Sequence, residues 1–272
     1  MLGWFWRHGP PGPVAAFQRS LTYYPDRTRP TPADSGVPEL APVALDTADG
    51  LSLLAWYAPP READAPSLIY FHGNAGHIGM RGFKVRAYLN AGLGVLLTTW
   101  RGYSGNPGTP TEDGLYADGR AARAFLRARG CSDDHQVLYG ESLGTGVAVH
   151  LAREATPAAL VLEAPFSSVV DIASGRFPLL PVGPLIVDRF DSAAKIGKVA
   201  APVLIVHGER DRTIPVRLAR KLHKRAREPK EAVFIPDADH ADLPEFGLPT
   251  YVLEFLARHG VSPPAAGAPT SS

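Results

Sequence analysis

From residue 67 onward, short unbroken apolar runs alternate with stretches whose apolar residues return every three or four positions. An unbroken run of four to eight apolar residues fits a strand covered on both faces, and the longer spacing fits a helix with one buried side. The predicted strands lie in "SLIYFHG", "GVLLTTWRG", "QVLYGES", "ALVLEAP", "APVLIVHGE" and "EAVFIP". Helices are predicted over about residues 80–91 and in "TEDGLYADGRAARAFLRARG", "VAVHLAREA", "VRLARKLHKRA" and "TYVLEFLARHG". In the second of these, Leu115, Ala122, Phe125 and Leu126 form the inner stripe and Gly130 marks the stop. Upstream, residues 42–58 read as two strands joined by a turn at Asp49 and Gly50. Strand and helix in strict alternation predict an α/β fold with a mostly parallel central sheet and helices on both faces.

Three stretches fall outside this rhythm. Residues 166–199 carry "FPLLPVGPLIV", which is rich in proline and apolar residues and has no clean period. It reads as a short cap inserted between two strands, whose part over about 177–187 either lids the site or completes the core. Residues 1–40 form an N-terminal extension ahead of a single domain over 41–260. Residues 261–272, in "VSPPAAGAPTSS", have too little apolar content to pack and are expected to be a disordered tail.

Composition narrows the class without choosing a chemistry. The chain has 272 residues, 45% hydrophobic and 20% charged, with a formal net charge of +1. That balance gives no global argument for nucleic acid as a partner. The Arg and Lys residues of the helix after Pro215 fall on its outer side, opposite a stripe of Leu218, Leu222 and Ala226. A single cysteine, Cys131, excludes an internal disulfide and suits a reducing, cytoplasmic compartment. No cluster has metal-ligand spacing and no GxGxxG follows a strand, so neither a metal nor a dinucleotide cofactor is expected. The start of the chain, with Trp4, Phe5 and Trp6 broken by Arg7 and prolines, is not a signal peptide, although peripheral membrane contact through these aromatics is compatible with it.

The chemistry stands at the ends of the predicted strands, where open parallel sheets bind ligands. "GESLG" sets Ser142 between two glycines at a strand-to-helix turn, the pattern of a nucleophile elbow. A serine hydroxyl needs a base, and the base needs a carboxylate to hold its tautomer. Of the nine histidines, His240 alone follows the last strand in a polar loop; His72 and His207 precede glycines and are expected to brace turns. Asp211, in "GERDRTIP", is preferred as the acid over Glu209, while Asp237 and Asp239 lie too close to His240 in sequence to reach its far nitrogen. The oxyanion donors are expected to be the backbone N–H groups of Leu143, directly after the nucleophile, and of Asn74 in "HGNAG".

With "HGNAG", "GESLG", "HGERDRTIP" and a terminal His loop in this order, the chain resembles the α/β-hydrolase superfamily from about residue 67 to 260. "QRSLTYYP" and the segment from "LPVGPLIVDRF" into "HGERDRTIP" are similar to its small-cap group, that of monoacylglycerol lipases, palmitoyl-protein thioesterases and serine aminopeptidase-like proteins. The resemblance implies Ser142 as nucleophile, Asp211 as acid, His240 as base, and Asn74 with Leu143 as oxyanion donors. It implies a cofactor-free serine hydrolase acting on a small-molecule ester or thioester. An amidase or aminopeptidase, with Glu163 or Asp171 holding a substrate amine, and a non-catalytic binding protein are the alternatives. Asp239 and Ala241 stand where that group tends to have Gly and Asn.

Overall fold

The computed structural model describes residues 12–261. The N-terminal aromatics Trp4, Phe5 and Trp6 and nearly all of the expected C-terminal tail therefore lie outside the described residues. The elements run α1 (Pro13–Thr22), β1 (Tyr24–Pro25), β2 (Ala41–Asp46), β3 (Ser52–Ala58), β4 (Ser67–Phe71), β5 (Ala75–Gly76), α2 (Gly82–Asn90), β6 (Gly94–Thr98) and α3 (Glu112–Arg127). They continue with β7 (Gln136–Glu141), α4 (Leu143–Glu154), β8 (Ala159–Glu163), α5 (Val169–Arg176), β9 (Val203–Gly208), α6 (Val216–Arg225), β10 (Lys230–Ile235) and α7 (Leu248–Arg258).

Eight strands form one sheet in the order β10-β9-β8-β7-β4-β6-β3-β2. β2 and β3 pair antiparallel, and β3 meets β6 antiparallel. Every other pairing in that sheet is parallel. All residues of β4, β6, β8 and β9 are buried, as expected of strands with helices on both sides. The period of two then splits them. Ile69, Phe71, Leu138 and Ile205 pack with α3, α4 and α6 on one face. Leu68, Tyr70, Val137 and Leu204 pack with α2 and α7 on the other.

The predicted strands and helices occur where the alternation placed them, with ends shifted by up to four residues; α4 starts at Leu143, four residues before the predicted stretch. In α3, Leu115, Ala122 and Leu126 are buried, whereas Phe125 is half-buried and meets Tyr57 edge-on at 5.3 Å. Thr111 caps this helix by accepting from the Gly114 N–H at 3.0 Å, and Glu112 and Asp113 complement its N-terminal dipole.

Two features were not legible as elements. Residues 13–22 form a helix, although the prolines before it read as breakers; Pro13 sits at the first helical position, where its missing N–H costs nothing. Residues 166–199 contain the two-turn helix α5, two single-turn 3₁₀ helices at Gly183–Leu185 and Ile196–Lys198, and otherwise turns and loops. Phe166, Phe190, Ile196 and Val199 join the core, but the apolar residues of the 177–187 part do not. Leu179, Leu180 and Leu185 are exposed, because both sheet faces are already covered by α2, α3, α4, α6 and α7.

Candidate active site

β7 delivers Ser142 to the carboxyl edge of the sheet and α4 departs from it at once. The turn between them forces Ser142 to φ 49° and ψ −114°, a region that residues with side chains rarely adopt. The flanking glycines have steric causes. A Cβ on Gly140 would lie 2.6 Å from the Thr145 backbone, and one on Gly144 would lie 2.0 Å from the Phe71 carbonyl oxygen. Gly146 faces the Phe190 ring, which would lie 2.8 Å from a Cβ placed there. The strained serine is pinned from both sides: its N–H donates to the Glu163 carbonyl at 2.9 Å, and its own carbonyl accepts from the Thr145 N–H at 3.0 Å.

Ser142, Asp211 and His240 lie far apart in the chain and converge. His240 Nε2 is 3.0 Å from Ser142 Oγ, and His240 Nδ1 is 2.7 Å from Asp211 Oδ2. The Asp211 side chain is wholly buried, and its Oδ1 accepts from the N–H groups of Thr213 at 2.8 Å and Ile214 at 2.7 Å. His207 Nε2 donates to the Ile214 carbonyl at 2.8 Å and lies 3.2 Å from Asp211 Oδ2. Burial alone would raise the Asp211 pKa. Hydrogen bonding from His207 and His240, and from the Ile214 N–H, outweighs it and holds the carboxyl well below the usual carboxylate range.

The competing carboxylates are occupied elsewhere. Glu209 pairs with Arg220, and Asp237 pairs with Arg210 at 2.5 Å. Asp239 accepts from the backbone N–H groups of Arg212 and His240, so it shapes the loop that carries the imidazole. His72 is a buried brace, as expected: its Nδ1 donates to the Gly73 carbonyl at 2.7 Å and its Nε2 accepts from Thr99 Oγ1 at 3.2 Å. Burial, with the nearby Arg81 charge, lowers its pKa to about 3 and keeps it neutral.

Ser142 opens onto a cavity of about 540 Å³, which Asn74 and Leu143 also line. The Leu143 N–H is the first of its helix, where no intrahelical carbonyl exists for it. Asn74 is held by its other groups: Nδ2 donates to the Thr22 carbonyl at 2.8 Å, and its carbonyl accepts from the Tyr24 N–H and the Tyr103 hydroxyl. Its own N–H finds no partner among the described residues. Phe166, Val169, Ile172, Phe177, Ile186 and Val187 make the walls largely apolar. Among the described residues no group of His, Cys, Asp and Glu is arranged to hold a metal ion.

No family model matches the chain. It is 40% identical over 227 residues to an uncharacterized protein of Mycobacterium tuberculosis, covering 83% of this chain and 81% of that one. To the human alpha/beta hydrolase domain-containing protein 17B it is 33% identical over 183 residues, 66% of this chain and 62% of that one. The fold is that of an esterase from Pyrococcus furiosus, with a TM-score of 0.71 at 21% identity over 87% of this chain and 97% of that one. The chain belongs to the α/β-hydrolase superfamily. Its general class is therefore hydrolase.

Within this α/β-hydrolase, two parts of the site escaped the sequence reading. One is the wall that α1 contributes. Gln18, Arg19, Leu21 and Thr22 line the cavity, and Arg19 pairs with Asp188 of the cap at 2.9 Å while the Tyr23 hydroxyl donates to the same carboxylate at 3.0 Å. The available signal was slight: Phe17, Leu21 and Tyr24 recur at helical spacing through "FQRSLTYY". The other is a buried ion network behind the elbow. Lys84 Nζ lies 2.6 Å from Glu163 and 3.6 Å from Glu141, and Arg81 makes a two-pronged contact with Glu141 at 3.1 and 3.2 Å. Tyr70 and Tyr139 donate to Glu141 and Glu163, each at 2.8 Å. Burial would raise the Glu141 pKa, but Lys84 and Arg81 overcome it and keep Glu141 ionised. Glu163 is thus consumed inside the protein, and Asp171 is consumed by Lys221 and Ser167. Neither lines the cavity, so neither can hold a substrate amine there.

Proposed function

We propose that this protein is a serine hydrolase that cleaves carboxylic esters or thioesters through a covalent acyl-enzyme. One observation carries the reading: Ser142 Oγ, His240 and Asp211 form a continuous hydrogen-bonded chain whose serine end opens onto a largely apolar cavity. In this reading Ser142 is the nucleophile, His240 the base and Asp211 the carboxylate that orients it. Asp211 fixes the proton on Nδ1, leaving the Nε2 lone pair for the serine proton.

As Oγ attacks the carbonyl carbon, its proton passes to Nε2 and the carbonyl oxygen becomes an oxyanion. The N–H groups of Leu143 and Asn74 are the donors proposed for that charge. Collapse expels the alkoxide or thiolate, which takes the proton from His240. Water then repeats the sequence on the acyl-enzyme and releases the acid. The apolar walls suit an acyl chain, and the absence of a free carboxylate in the lining disfavours an aminopeptidase. Labelling with a fluorophosphonate probe, followed by peptide mass spectrometry, tests the reading. The adduct is expected on Ser142 and is expected to vanish in Ser142→Ala; a folded protein that takes no label would overturn it.

A further inference from the structure

Eight of the eleven large apolar side chains exposed among the described residues belong to two segments, 17–24 and 177–187. These segments are neighbours. Gln18 bonds the Leu185 carbonyl and the Val187 N–H, and Arg19 bonds Asp188. Together they make one face with the cavity mouth inside it. Leu21, Tyr24, Phe177 and Val187 are both exposed and part of the cavity lining. Phe17, Leu179, Leu180 and Leu185 extend the face without lining the cavity, and Leu179 is 94% exposed.

Of charged side chains, the two segments themselves contribute only positive ones, and the neighbouring Glu112, which accepts from the Arg189 backbone N–H, is paired with Lys195. Residues 13–24 and 174–187 contain no carboxylate. Asp188, next in the chain, is buried and neutralised by Arg19, which leaves Arg176 and Arg189 exposed, with no carboxylate partner among the described residues. The chain ahead of α1 adds Trp4, Phe5, Trp6 and Arg7 in sequence. Aromatic and leucine side chains bordered by arginines are the composition of surfaces that settle at a lipid–water interface.

We infer that the face formed by α1 and the cap docks on a bilayer bearing anionic headgroups. The alternative occupant, a second copy of the chain, fits poorly. A symmetric pairing through this face would set like charges against one another and close both cavity mouths. A bilayer covers the apolar side chains, pairs its phosphates with Arg176 and Arg189, and leaves the mouth facing acyl chains. No described helix is long and apolar enough to cross a membrane, so these elements would lie on the surface. The docking does not require the hydrolysis proposed above, and the two are tested separately.

Co-sedimentation of the full chain with phosphatidylcholine vesicles, with and without phosphatidylglycerol, measures the partition. The wild type is expected to pellet with the mixed vesicles and to partition severalfold less when phosphatidylglycerol is omitted or salt is raised. Leu179→Asp and Phe17→Asp are each expected to lower binding about tenfold. Both side chains are exposed and outside the cavity, so hydrolysis of a soluble short-chain ester and the melting curve should not change. Failure of the wild type to bind either vesicle would overturn the inference. So would variants that bind as tightly as wild type, which would move the contact to another surface. Sedimentation without lipid is the last arm: a wild-type dimer that Leu179→Asp makes monomeric assigns the face to a second copy and also overturns it.

Discussion

The floor of the cavity and its rim are built on opposite principles. The floor is over-determined. Ser142 is held in a strained conformation by bonds to Glu163 and Thr145, its glycine flanks admit no side chain, and an ion network of two carboxylates, Lys84 and Arg81 lies behind it. The rim rests on a few contacts between α1 and the cap, chiefly Gln18 with residues 185 and 187 and Arg19 with Asp188, and leaves leucines in solvent. Chemistry needs atoms fixed to fractions of an ångström, so strain is tolerated where surrounding bonds pay for it. Admission of an apolar acyl chain needs only an apolar lining and room to open.

That contrast predicts a steep functional penalty on the floor. Ser142→Ala is expected to lower ester hydrolysis by about 10⁴ to 10⁶ while the melting curve stays within a degree or two of wild type, because only binding and the oxyanion donors remain. Near-normal turnover in a folded variant would remove Ser142 from the mechanism. Asp211→Asn should follow with a loss of about 10⁴ in kcat, since the amide favours the wrong tautomer of His240. Glu209→Gln, which touches only a surface pair with Arg220, should leave kcat within about twofold. A reversed ranking would mean that the wrong carboxylate has been assigned.

The sheet was legible because each buried strand is a short apolar run bounded by turn residues, and because parallel order follows from the interposed helices. The convergence of Ser142, Asp211 and His240 was legible because each stands in the turn or loop after such a run, and strand ends are where this architecture places side chains together. The rim was opaque for a physical reason. Phe177, Leu179 and Leu180 look like core by composition, and only the sheet's completed cover shows that no core remains for them to join. The network behind the elbow was opaque for a different reason. Arg81, Lys84, Glu141 and Glu163 are scattered along the chain, nothing in the sequence pairs them, and Glu163 read singly as a possible holder of a substrate amine.

Those buried charges sharpen the comparison through stability. Lys84→Met would strand Glu163 and weaken the support of Glu141, and is expected to destabilise the fold by about 3–5 kcal/mol. Denaturant melts would read this directly, and a cost below about 1 kcal/mol would show that the network does not hold the floor. A smaller effect follows from His72. Its folded pKa lies near 3, below the ordinary value of 6.5, so below pH 6.5 the unfolded chain binds a proton that the fold refuses. Stability attributable to this group is complete above pH 6.5 and falls as pH drops toward 3, by about 2 kcal/mol at pH 5. Asp211 acts in a lower window, because its depressed pKa costs stability only below about pH 4. Melts of wild type and His72→Gln at pH 7 and pH 5 should therefore show a shallower pH dependence in the variant; parallel slopes would relieve His72 of this role.

The rim should yield the smallest effect, and a graded one. Val187 and Ile172 line the cavity, whereas Leu180 sits on the outer face of the same cap. A buried methylene is worth about 0.8 kcal/mol, so each carbon added to a bound acyl chain should raise kcat/KM about three- to fourfold until the walls are filled. Val187→Ala and Ile172→Ala remove wall atoms beside that chain, and each is expected to flatten the rise by about that factor at the chain lengths that reach it. Leu180→Ala removes nothing from the wall and should reproduce the wild-type profile on soluble substrates. A p-nitrophenyl ester series from acetate upward, kept below micelle formation, separates the cases. If Leu180→Ala shifts the optimum as much as Val187→Ala does, the cap closes inward when substrate binds, and the rim is then a lid rather than an open wall. If neither shifts it, acyl length is read elsewhere, and the contrast between floor and rim would hold for stability but not for specificity.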